Sequence, residues 1–106
     1  MENDALQRLR SVCLGFPEAT EGAAWGHPVF RTGKKTFAAF EIVDGRPSIA
    51  FRVDRDGFDF LRTKRGFFET PYGRGLWISR WADGRIGGKG LAALLEAAYR
   101  LVAARP

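Results

Sequence analysis

The chain has 106 residues and a formal net charge of +5, with arginine supplying thirteen of its seventeen cations. That length holds one hydrophobic core, so 1–106 is expected to be a single domain. One cysteine, Cys13, excludes an intramolecular disulfide framework and a cysteine-built zinc cluster. No apolar run approaches the roughly 18 residues a membrane helix needs, so no membrane partner is expected. The acidic start Met1-Glu2-Asn3-Asp4, with no apolar run after it, predicts no leader and a cytoplasmic protein.

The spacing of Leu6, Leu9, Val12 and Cys13 predicts a helix from about Asp4 to Leu14, stopped by Gly15-Phe16-Pro17. Pro17 to Gly26 reads as an acidic loop. The period then changes to two. Strands are expected at Val29–Thr32, Thr36–Ile42 and Ser48–Val53, joined by turns at Gly33-Lys34 and Asp44-Gly45. Asp54 offers an N-cap for a short helix over Arg55–Thr63. Phe67–Thr70 and Leu76–Trp81 read as two further strands. On the second, Trp77, Ser79 and Trp81 share one side, and Leu76, Ile78 and Arg80 share the other. A last helix, Gly90–Ala104, carries the broad apolar stripe Leu91, Leu94, Leu95, Ala98, Leu101 and Val102. The expected fold is an α+β two-layer sandwich, a five-stranded antiparallel sheet with helices on one face, in the order α-βββ-α-ββ-α.

Several segments in this order resemble the MmcQ/YjbR group of small bacterial proteins. They are Leu14-Gly15-Phe16-Pro17, Trp25-Gly26-His27-Pro28-Val29-Phe30-Arg31, Gly33-Lys34-Lys35-Thr36-Phe37-Ala38, Phe67-Phe68-Glu69-Thr70-Pro71-Tyr72, Leu76-Trp77-Ile78 and the closing run from Leu94 to Val102. The resemblance implies a fold similar to secretion-chaperone-like domains and a "double wing" mode of DNA binding through projecting hairpins. It implies no catalytic residue. The Gly-rich segment from Ala82 to Gly90 departs from the group's pattern.

The residues point away from catalysis. His27 is the only histidine and Cys13 the only cysteine, which leaves no nucleophile with an evident base and no metal-ligand cluster. Cys13 falls on the apolar stripe of its helix. Gly84-Arg85-Ile86-Gly87-Gly88-Lys89-Gly90 has the wrong spacing for a nucleotide-binding P-loop, since Asp83 stands where Gly is required and Gly90 where Ser or Thr is. Its Lys89 beside a helix start can still meet one phosphate. No cofactor is expected.

The charge is distributed unevenly: residues 1–30 carry −2 and residues 31–106 carry +7. The cations gather at hairpins, with Arg31, Lys34 and Lys35 at the first tip, Arg74 and Arg80 around the last, and Arg85 and Lys89 after it. Groups of this kind position phosphates without reading sequence. The expectation is therefore a non-enzymatic domain binding double-stranded DNA through Arg31, Lys34, Lys35, Arg74, Arg80, Arg85 and Lys89. The alternative is a protein-interaction module or homodimer using the exposed sheet face with Trp77 and Trp81. A third reading is a small-ligand protein with a pocket between sheet and helices.

Overall fold

The computed structural model describes residues 4–71, 76–83 and 88–103. Helix α1 spans Asp4–Cys13. Four strands follow: β1 (Ala19–Ala24), β2 (His27–Thr32), β3 (Lys35–Val43) and β4 (Arg46–Arg52). A short α2 (Arg55–Leu61) leads to β5 (Phe67–Glu69) and β6 (Trp77–Trp81), and α3 (Gly88–Val102) closes the fold. All pairings are antiparallel, and the sheet order is β1-β2-β3-β4-β6-β5.

The α+β class with helices against one face of an antiparallel sheet holds. Two expectations are corrected: the sheet has six strands rather than five, and the order is α-ββββ-α-ββ-α. The added strand is β1, inside the segment read as a loop. Its sequence, Ala-Thr-Glu-Gly-Ala-Ala, carries no large apolar side chain, so no period-two signal marks it. It is held by pairing along its whole length with β2, from Ala19↔Thr32 to Ala24↔His27. Ala19 also packs against the core, and Glu21 takes a bidentate pair from Arg10 of α1 at 2.9 and 3.0 Å.

The pleat sorts side chains to two faces. On the helix side lie Phe30, Phe37, Ala38, Ile49, Phe51 and Ile78, packed under Leu9 and Cys13 of α1 and Leu91, Leu95, Ala98 and Val102 of α3. Leu101, assigned to that stripe from sequence, is exposed instead. It lies past the edge of an apolar arc that the core fills with Ala98 and Val102. A register shift between Phe30 and Arg31 opposes Phe37 to no residue of β2. This bulge lets Phe37 and Ala38 both face the helices. Phe37 meets Tyr99 edge-on at 5.5 Å and Phe16 at 6.0 Å, while Tyr99 stacks on Phe16 at 4.8 Å. The Tyr99 hydroxyl donates to the Pro17 carbonyl at 2.8 Å, tying α3 to the chain after α1. Asp54 caps α2 as its position suggested, its Oδ1 accepting from the Gly57 N–H at 2.7 Å.

The other face has no helix over it among the described residues. Its centre is a second, smaller buried cluster of Val29, Ala39 and Ala50, bordered by Ala24 and Trp77.

Candidate binding surface

The uncovered face is built in rows, because antiparallel register places same-face residues of neighbouring strands side by side. The middle row runs Gly22, Val29, Ala39, Ala50, Ser79, Phe68 across all six strands. Five of these six are small or compact, so the row forms a trough. On one bank stand Arg31 and Thr36, then Arg52 paired with Trp77. On the other stand Ala24 paired with His27, and Glu41 paired with Ser48, which pairs with Trp81. The concavity is about 340 Å³ and is lined by Trp25, His27, Lys35, Glu41, Arg52 and Trp77 around the small floor.

Two polar atoms in this lining are buried without a hydrogen-bond partner, Glu41 Oε1 and Arg52 Nε. Glu41 is only 7% exposed. Burial pushes its carboxyl above the ordinary glutamate range, and His27 opposes that rise in part. Ser48 does not relieve it, since its hydroxyl donates to the Glu41 main-chain carbonyl at 3.2 Å.

Trp25 stands at the mouth, 92% exposed. Trp25 and Gly26 form the β1–β2 turn with φ of 55° and 82°. Left-handed backbone is costly for a bulky residue, about 1–2 kcal/mol. Trp81, in contrast, is occupied: the Arg46 guanidinium lies 3.9 Å from its ring centroid and Phe68 stacks on it at 4.3 Å.

The cations divide into locked and unlocked sets. Arg46 grips Asp83 at 2.5 and 3.2 Å. That contact holds the Arg46 guanidinium more firmly charged and the Asp83 carboxyl below its usual range. Arg62 pairs with Glu69 at 2.8 Å, Arg100 with Glu96 at 2.7 Å, and Arg10 with Glu21. Arg31, Lys34 and Lys35 make no ion pair among the described residues. Lys34 and Lys35 are exposed at the β2–β3 turn. The Arg31 guanidinium lies over Gly22, where a Cβ would collide with its Nη1.

The expected second wing does not join this group. Arg80 pairs across from Ile49 and Phe67, on the helix side, and its guanidinium sits 5.8 Å from the Phe67 ring. Arg74 and Arg85 lie outside the described residues, as does the side chain of Lys89 at the start of α3. The shared side of Trp77, Ser79 and Trp81 is as read from sequence. Sequence reasoning missed Trp25, Glu41 and Arg52 as lining residues. A signal existed for one of them: Glu41 is the single acid in the apolar strand Phe37–Val43. Cys13 is fully buried, and burial pushes its thiol up to about 12. Among the described residues no group of three or more His, Cys, Asp or Glu side chains is placed to hold a metal. Likewise no helix there is long and apolar enough to cross a membrane.

A YjbR family model matches residues 14–101. A crystal structure of a Deinococcus radiodurans protein with a DUF419 domain superposes with a TM-score of 0.78 at 22% identity, covering 96% of this chain and 80% of that one. A Pseudomonas syringae protein superposes with a TM-score of 0.74 at 20% identity, covering 90% of this chain and 96% of that one. At such identities the likeness is one of fold. No curated protein matches.

Proposed function

The chain belongs to the YjbR family, and on that footing we propose that it is a non-enzymatic domain that binds duplex DNA through the β2–β3 hairpin. The carrying observation is that Arg31, Lys34 and Lys35 sit together at one hairpin without carboxylate partners, while Arg10, Arg46, Arg62 and Arg100 are held by acids. A cation already paired must give up its partner before it can meet a phosphate. An unpaired one releases a counterion on contact. Arg80 faces away from this group, so the hairpin acts as one wing. Arg74, Arg85 and Lys89 stay in the reading as phosphate contacts on the strength of the sequence, Lys89 from the start of α3. Cys13 has no part in this reading, since it is fully buried and its thiol is pushed up to about 12, which leaves no reactive thiolate.

The test is affinity for duplex DNA across a salt series. Wild-type chain is expected to bind with a steep salt dependence. Lys34→Glu/Lys35→Glu is expected to weaken binding uniformly across sequences and flatten the slope by about 2, one per lost phosphate contact. Salt-independent binding, or a double variant that binds as wild type does, removes the reading.

The exposure of Trp25 favours a second reading, a homodimer meeting across the uncovered face. Light scattering over a concentration range decides it. A mass that stays monomeric at high micromolar concentration ends it.

A further inference from the structure

The trough across the uncovered face is chemically polarised. Glu41 stands on one bank with an unpartnered acceptor, Oε1. Arg52 stands on the other with an unpartnered donor, Nε. Four residue steps along β4 lead from Ser48, the cross-strand partner of Glu41, to Arg52, a run of about 14 Å at strand rise. Between them the floor is Val29, Ala39 and Ala50, flat and apolar. Trp77 stands beside Arg52, and Trp25 and Lys35 complete the rim. A buried acceptor and a buried donor left unpaired each forfeit the hydrogen bond they made to water in the unfolded chain. Both losses are recovered by one ligand that carries N–H groups at one end, an anion at the other and a planar body between.

We propose that the trough binds a guanine nucleotide, with the base edge on Glu41 and the phosphate on Arg52 and Lys35. The base choice follows from donor geometry. Guanine presents two adjacent donors, N1–H and the 2-amino group, which a carboxylate accepts with both oxygens. Adenine and cytosine place a ring acceptor beside their amino group, and uracil flanks its N–H with two carbonyls, so each sets an oxygen or nitrogen lone pair against the carboxylate. The base plane lies over the small floor of Val29, Ala39 and Ala50, Trp77 stands with Arg52 at the phosphate end, and the phosphate meets a guanidinium and an ammonium that no carboxylate has claimed. The concavity, about 340 Å³, falls within the roughly 300–1,000 Å³ of small-molecule sites. Trp25 fits the same picture. Strained backbone at an exposed aromatic costs stability and gains nothing in the unliganded fold, but it holds the ring over the mouth of the trough.

Isothermal titration of the full chain with GMP, AMP, CMP, UMP and inorganic phosphate tests this. GMP is expected to bind saturably and at least about 10-fold tighter than the others, the scale of a charge-assisted pair. Glu41→Gln is expected to cut GMP affinity ~10–100-fold and erase the preference, leaving inorganic phosphate unchanged. Trp25→Asn is expected to raise the melting temperature, because Asn tolerates the left-handed turn, while weakening GMP. Equal affinity for the four nucleotides overturns the proposal, as does GMP binding no tighter than phosphate, or full GMP affinity in Glu41→Gln. The outcome is separable from the DNA reading through Lys34, which lies outside the lining. Lys34→Glu is expected to weaken DNA binding and leave GMP binding as it was.

Discussion

The two faces of the sheet use the same strands in opposite ways. On the helix side the buried residues are bulky, Phe30, Phe37, Phe51, Ile49 and Ile78, and two helices lie on them. On the other side the buried residues are Val29, Ala39 and Ala50, and the strands themselves supply most of the cover. Both sets are nearly inaccessible to water, but only the first fills its volume. Apolar character without bulk leaves a concavity, and polar side chains reaching over it from the banks stay unpaired. Stability is thus concentrated on one face and unspent binding capacity on the other.

The sharpest contrast lies in deletions and insertions of core volume. Leu95→Ala removes a fully buried side chain from the helix side and is expected to cost about 3–5 kcal/mol in urea unfolding. Lengthening a side chain separates the faces more directly. Ala38 and Ala50 are both buried, on β3 and β4, and face opposite ways. Ala38→Leu forces its way beneath the helices and is expected to cost about 1–3 kcal/mol. Ala50→Leu grows toward the concavity of about 340 Å³ that Ala50 lines, so it is expected to cost less than Ala38→Leu while the trough closes. If Ala50→Leu destabilises as much as Ala38→Leu, the two faces are equally packed and the comparison breaks.

The same contrast explains what the sequence could reveal. Helix α3 and strands β3, β4 and β6 were legible because large apolar residues at regular spacing mark the helix side. The Asp44-Gly45 turn was legible because both residue types tolerate positive φ, and both adopt it, at 53° and 77°. The Trp25-Gly26 turn has nearly the same backbone, 55° and 82°. It was hidden because Trp is not a residue that such a turn selects. With that turn unseen, β1 also went unseen, its Ala and Gly residues offering no alternation. The trough was illegible for a related reason: small residues carry little pattern, and the rows they form exist only once the register is known. Sequence clustering also joined Arg80 to a basic wing that the pleat turns away from it. Alternation had already placed Arg80 opposite Trp77 and Trp81.

The smallest effect isolates the trough's own cost. Glu41 has its carboxyl raised, first by burial, with His27 pulling the other way. Below the ordinary glutamate value of 4.5 the side chain is protonated in both folded and unfolded chains, so the burial penalty on the charged form vanishes. As pH rises from there through the raised folded value, the unfolded chain loses its proton more readily than the folded one. Stability is lost over that window and stays lower above it. Glu41→Gln carries no charge at any pH and escapes the loss. The variant is therefore expected to be more stable than wild type at pH 7, with the gap closing in urea unfolding as pH is brought below 4.5. A gap independent of pH would mean that the carboxylate of Glu41 is as well solvated in the fold as in the open chain. The unpaired acceptor would then supply no drive to bind a donor.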